Sequence, residues 1–203
     1  MTTDQVAGSP IPGVRWGTVA RHGDERGSFR ELWRARAFDG AQAEDAGGKA
    51  GDRLEFVQSN LSVSAAGVLR GLHLHRRQLD HWVVAEGLGF VALVDVRPML
   101  AGGTRPIVET RTAPADTSVT IPVGVAHGFL ALSPLDLVYF VTNEYDGSDE
   151  LGFAWDDPDA AVPWPSVPRT PGGRPILSDR DAGNPSLRDL VKRIRGMDQM
   201  PSG

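Results

Sequence analysis

The spacing of apolar and polar positions predicts a chain built mainly from short strands. Val14–Ala20 is the first such stretch. The polar run His22–Gly27 predicts a turn, and Ser28–Trp33 a second strand with Phe29 and Leu32 directed to the core. In Leu54–Ser64 (LEFVQSNLSVS), Gln58 and Asn60 fall on one face and Val57 and Leu61 on the other. A series follows: Val68–His75, His81–Ala85, Phe90–Val96, Ile107–Thr112, Ser118–Ile121, Gly128–Ala131 and Leu137–Thr142. Gly87–Gly89 fits a hairpin turn and Pro98–Arg105 a loop. Phe38–Arg53 reads as a short helix or a loop, and Pro158–Arg174 holds too many prolines to be regular structure throughout. Helical period is confined to Ser186–Ile194, where Leu187, Leu190, Val191 and Ile194 share a face and Ser186 is a candidate N-cap. Closely spaced strands followed by one short C-terminal helix predict an all-β jelly roll or a related barrel.

Composition changes this picture little. The 203 residues fit one domain, with a core of about 14–185, no internal repeat and no convincing linker. Residues 1–12 read as a loose lead-in. The 24 glycines and 15 prolines suit a turn-rich β protein. A net charge of -5 does not ask for nucleic acid or a membrane surface. No apolar run approaches the ~20 residues needed to span a bilayer. The chain has no cysteine, which excludes disulfides and thiolate chemistry. With an N-terminus that lacks a basic, apolar targeting pattern, this favours the cytoplasm.

The titratable groups concentrate in Leu69–Gly87 (LRGLHLHRRQLDHWVVAEG), which carries three of the five histidines. His73 and His75 lie two apart, so on a strand both face the same way. With Asp80 and the distant His127 they form a set that could bind a divalent metal facially. The same residues also suit acid–base work. Tyr139, in the strand-like LVYFVTNEY, is a packing residue or a proton donor, depending on whether a cleft lies beside it. Arg26 and Arg70 are ion-pair partners or phosphate ligands. Asp181 is a turn cap or the carboxylate that orients a histidine.

In order along the chain, DERGSFRE (Asp24–Glu31), QSNLSVSAAGVLRGLH (Gln58–His73), VALVDVR (Val91–Arg97), IPVGVAHGFLAL (Ile121–Leu132), VYFVTNEY (Val138–Tyr145), WDDP (Trp155–Pro158), WP (Trp164–Pro165) and LSDRD (Leu177–Asp181) resemble the dTDP-4-dehydrorhamnose 3,5-epimerase family. The resemblance implies a cupin jelly roll, a homodimer that exchanges N-terminal strands, and a dTDP-4-keto-6-deoxy sugar as substrate, with no cofactor. It implies His73 as the base, Asp181 as the group that holds it, and Tyr139 as the acid on the opposite face. Arg70 and His127 match further active-site positions. Arg26, Glu31, Gln58 and Asn60 match residues that hold the nucleotide sugar.

One stretch departs from the family pattern. A lysine that helps stabilise the enolate oxygen is expected where Asp80 falls, and an ionised Asp would repel that oxygen. Arg76, Arg77 and His81 are the nearby candidates for the missing positive charge. The same change makes His73, His75, Asp80 and His127 resemble the four-ligand metal motif of the wider cupin superfamily, with Asp where Glu is commoner. Three functions follow for test: the epimerase, a metal-dependent cupin catalysing another isomerisation or an oxidation, and a non-catalytic sugar-nucleotide binder.

Overall fold

The computed structural model describes residues 8–38, 54–167 and 170–198. Its strands are β1 (Arg15–Thr18), β2 (Arg21–Asp24), β3 (Gly27–Arg30), β4 (Gln58–Ser64), β5 (Leu69–Leu74), β6 (Asp80–Glu86), β7 (Leu88–Asp95), β8 (Ile107–Pro114), β9 (Thr117–Ile121), β10 (Val125–Ala131), β11 (Leu135–Val141) and β12 (Leu151–Gly152). The α-helices among the described residues are α1 (Arg97–Leu100), α2 (Asp179–Ala182) and α3 (Leu187–Asp198). Two antiparallel sheets, ordered β1-β9-β6-β11-β4 and β12-β5-β10-β7-β8, form the all-β jelly roll expected of a cupin. No helix among the described residues is long and apolar enough to cross a membrane.

Two-residue alternation divides the apolar side chains between two layers. Trp16, Trp82, Leu137, Leu93 and Phe129 meet between the sheets. Leu72 and Leu74 on β5, Ala92 and Val94 on β7, and Ala126 on β10 face the other way. There they pack with Phe153 and with Leu187, Leu190, Val191 and Ile194, the apolar face of α3. Strand β7 is therefore covered on both faces by apolar neighbours, which accounts for its dense hydrophobic run. Helix α3 starts where expected. Ser186 Oγ accepts the Asp189 N–H at 3.1 Å, and buried Asp157 accepts the Leu187 N–H at 2.9 Å.

Strand β4 is inside out. Its edge position leaves Leu61 and Val63 62% and 64% exposed, while Gln58, Asn60 and Ser62 on the opposite face are half-buried. A strand that points amides inward and valine outward must border a polar interior.

Four local expectations are corrected. The turn expected over His22–Gly27 narrows to Glu25–Arg26, with its flanks extended as β2 and β3. This hairpin is held to the sandwich by charge: Arg21 and Arg30 reach Asp116 at 2.8 and 2.9 Å. Phe29 is consequently 70% exposed rather than in the core, and Leu32 is half-buried. The lead-in is pinned from Gly8 onward: Ile11 is buried between the sheets and Arg97 Nη2 donates to the Pro12 carbonyl at 2.7 Å. The start of the span expected as a loop, Pro98–Arg105, belongs to α1, with Pro98 in its first turn. Apart from Phe38, which is buried and ends a short 3-10 helix (Ala35–Phe38), the helix-or-loop expected over Phe38–Arg53 lies outside the described residues.

Candidate active site

A cavity of about 680 Å³ opens between the polar face of β4 and the ends of β5, β6, β10 and β11. His73 and His75 both line it, as their spacing requires, and so do Asp80, His127 and Tyr139. Gln58, Asn60 and Arg70 complete the set of expected residues found there. The close approach of β5 to β10 brings these groups together. Gly71 has φ +130°, and a Cβ on it would lie 2.6 Å from the Gly128 Cα. The β5–β10 ladder then shifts register between His127 and Phe129, with His127 opposite His73.

The partners of His73, on β5, and His75, just past its end, differ. His73 Nε2 lies 2.7 Å from Asp181 Oδ1. A carboxylate accepts only, so Nε2 carries the proton and, in the neutral ring, Nδ1 keeps a lone pair. Asp181 is buried on α2, where its backbone N–H is capped by Ser178 Oγ at 3.1 Å. Its Oδ2 accepts the Gly71 N–H at 3.3 Å. Burial pushes the Asp181 carboxyl up, but the His73 hydrogen bond and charge, with the Gly71 and Ser178 contacts, hold it below its ordinary value. It is therefore a carboxylate at neutral pH.

His75 instead donates from Nδ1 to the Asp149 carbonyl at 2.9 Å, and His127 donates from Nδ1 to the Val125 carbonyl at 3.1 Å. Asp80, 3% exposed, accepts from Gln78 Nε2 at 2.8 Å and from Trp82 Nε1 at 3.0 Å. Its Oδ2 lies 3.7 Å from His127 Nε2. Burial lowers the His127 pKa to about 4 despite this carboxylate, so the ring is neutral near pH 7. His75, Asp80 and His127 each offer a ligand atom within 4.8 Å of the others, and His73 stands outside that group. The four-residue metal set thus separates into a three-residue cluster and a His–Asp pair.

Tyr139 is half-buried beside them. Burial, then the charges of Asp80 and Glu150, push its hydroxyl pKa up, with Arg70 opposing. It stays protonated at neutral pH, as a proton donor must.

None of the three candidates for the missing positive charge supplies it. His81 points to the opposite face of β6, buried against Phe38 and bonded to Thr120 Oγ1 at 3.0 Å, and burial lowers its pKa to about 4. Arg76 and Arg77 line a separate surface hollow and pair with Asp198 and Asp146. The cations of the cavity wall are Arg70, whose Nε donates to Ser64 Oγ at 3.1 Å, and Arg180, paired with Glu150. Arg180 and Glu150 were not singled out by sequence. Arg180 adjoins Asp181 on α2, and that adjacency was the available signal. Tyr145 also reaches the wall, with its N–H donating to Gln58 Oε1 at 2.9 Å.

Arg26 and Glu31 do not join the cavity of their own chain. Arg26 is paired with Asp24 at the tip of the hairpin and Glu31 with Arg34, all at the surface.

The comparisons with known proteins agree with this geometry. The family model for dTDP-4-dehydrorhamnose 3,5-epimerase matches residues 8–189. A protein of that name from Mycobacterium tuberculosis is 35% identical over 187 residues, covering 89% of this chain and 86% of the relative. The solved structure of the Mycobacterium tuberculosis rmlC epimerase superposes with a TM-score of 0.75 at 31% identity, over 97% of this chain and 99% of that one. ChmJ, a 3'-monoepimerase from Streptomyces bikiniensis solved in complex with dTDP-quinovose, gives a TM-score of 0.73 at 29% identity, over 92% of this chain and 89% of that one. Sequence, fold and cavity together make the chain a member of the dTDP-4-dehydrorhamnose 3,5-epimerase family.

Proposed function

We propose that the protein is an isomerase that epimerises a dTDP-4-keto-6-deoxyhexose at C3, C5 or both. The observation that carries this reading is the His73–Asp181 pair, 2.7 Å apart, on a cavity it shares with the protonated Tyr139. A C–H bond next to the C4 ketone is acidic because its electron pair moves into a C=C bond and the negative charge onto oxygen. His73 takes that proton on Nδ1, and Asp181 stabilises the resulting imidazolium. Tyr139 delivers a proton to the other face of the same carbon, and the C=C pair bonds to it. Solvent then returns a proton to the tyrosinate and removes one from His73. The base His73, the acid Tyr139 and Asp181 bring no cofactor of their own to this cycle.

Gln58, Asn60, Arg70 and His127 line the pocket that would take the sugar nucleotide. Buried Ser62 Oγ has no hydrogen-bond partner among the described residues and offers a further polar contact. Arg26 and Glu31 serve the substrate only if the β2–β3 hairpin is exchanged within a homodimer, where each chain's hairpin reaches the other's cavity. The exposed Phe29, with Leu61 and Val63 on the edge strand β4, suits such an exchange. A nucleotide-sugar substrate agrees with a cytoplasmic location.

The test is proton NMR of dTDP-4-keto-6-deoxyglucose with the purified protein in deuterated water. Loss of the C3 or C5 signal, or of both, is expected and names the carbon. A folded protein that leaves both signals intact overturns the assignment.

A further inference from the structure

We propose that His75, Asp80 and His127 form a binding site for one divalent transition-metal ion, separate in its donors from the His73–Asp181 pair. All three are buried, at 6%, 3% and 4% exposure, and each offers a ligand atom within 4.8 Å of the other two. Donors bound to one ion at about 2.1 Å lie roughly 3 to 4 Å apart, so closing the set needs only small side-chain movements.

The hydrogen bonds fix what each residue presents. Asp149 O and Val125 O can only accept, so His75 and His127 carry their protons on Nδ1 and leave Nε2 with a lone pair. A ligating histidine held by a carbonyl on its other nitrogen is oriented in this way. Asp80 is fixed by Gln78 and Trp82, and each of its oxygens keeps a further lone pair. The nearest ionisable partner of its carboxylate among the described residues is His127 Nε2, at 3.7 Å. A buried carboxylate facing imidazole lone pairs is costly unless a cation stands among them.

Two imidazoles and one carboxylate, open on the cavity side, make the donor set that suits Fe(II), Mn(II), Co(II) or Zn(II). His73 is excluded from the set because its Nε2 is committed to Asp181. The histidine pair therefore divides its work, one ring for the proton and one for the ion. The cavity's described cations, Arg70 and Arg180, hold Ser64 and Glu150, and the ion would supply positive charge beside Asp80.

Chelator-stripped protein titrated with Co(II), without substrate, tests the site by calorimetry and by visible absorption. One ion per chain, with d–d bands that show nitrogen ligation, is expected. Asp80→Asn and His75→Ala should each weaken binding by about tenfold or more, while His73→Ala should leave it unchanged. Circular dichroism identifies the variants that remain folded, and isosteric Asp80→Asn keeps the test decisive if His75→Ala does not fold. No uptake by the folded wild-type protein overturns the site, as does stoichiometric uptake by folded Asp80→Asn, or loss of uptake in folded His73→Ala. Substrate takes no part in this measurement, so its failure leaves the epimerase reading untouched.

Discussion

His73 on β5 and His75 just past its end line one cavity, yet their surroundings differ. His73 meets a carboxylate, delivered by α2 from 108 residues away. His75 meets a backbone carbonyl and faces toward a second histidine and Asp80. A carboxylate behind the ring fixes which nitrogen carries the proton and sets a negative charge beside an imidazolium when one forms. A carbonyl fixes the proton on Nδ1 and brings no charge. The same residue type, shifted by one pleat repeat, is proposed as a base in one place and as a metal ligand in the other. Which it becomes is decided by what the rest of the fold brings behind it.

The sharpest way to break the comparison is to remove each ring in turn. His73→Ala should lower turnover by about 10³- to 10⁴-fold, the upper part of the range for a positioned general base, while circular dichroism and Tm stay near the wild-type values. If His73→Ala turns over normally, the contrast between the two histidines loses its functional meaning. Next in size is Tyr139→Phe. It removes the donor from the opposite face but leaves the base, so net epimerisation should fall by about 10²- to 10³-fold. Deuterium should still enter the substrate with its configuration retained, read by proton NMR. Equal loss of exchange and epimerisation would assign Tyr139 to binding or packing instead.

A control on the scaffold should separate site from support. Leu190 packs α3 into the apolar layer that also holds Leu72 and Leu74 of β5. Leu190→Ala should cost about 2 to 5 kcal/mol of stability, measured by urea unfolding. Turnover of the molecules that remain folded should change little. A large drop in turnover in fully folded protein would mean that α3 tunes the histidines as well as holding up the strand.

Much of this was legible in the sequence. The shared face of His73 and His75 follows from strand periodicity alone. So does the division of Gln58 and Asn60 from Val57 and Leu61, though not which of the two faces turns inward. The apolar face of α3 and its Ser186 cap were also explicit. What spacing could not supply was partnership. Nothing local to His73 says that Asp181 rather than Asp80 will face it, because a register shift in β10 and the placement of α2 decide that. For the same reason a four-residue metal set looked plausible when one member was already committed. The β2–β3 hairpin was misread because its anchors, Asp116 and Glu86, lie far along the chain. The sequence pattern assigns Phe29 to the core, but charge, not apolar packing, holds its hairpin.

The smallest expected effect bears on the carboxylate that makes His73 different. The Asp181 carboxyl is held below its ordinary value in the folded protein. A depressed folded-state pKa contributes stability that is fully present above the unfolded value, about 3.9, and is lost as pH falls through the folded value. Asp181→Asn removes that contribution and keeps the shape of the side chain. Wild type should therefore be the more stable of the two at pH 6 to 7, by urea unfolding. The gap should be steady down to about pH 4 and close below it. At neutral pH the same variant should slow turnover, since an amide can present its oxygen to Nε2–H but cannot stabilise the imidazolium as a carboxylate does. If the stability gap persists unchanged to pH 3, ionisation of Asp181 is not its source. The amide would then act by disturbing the Gly71 contact and the seat of α2. That outcome would turn the distinction between His73 and His75 from electrostatic to steric.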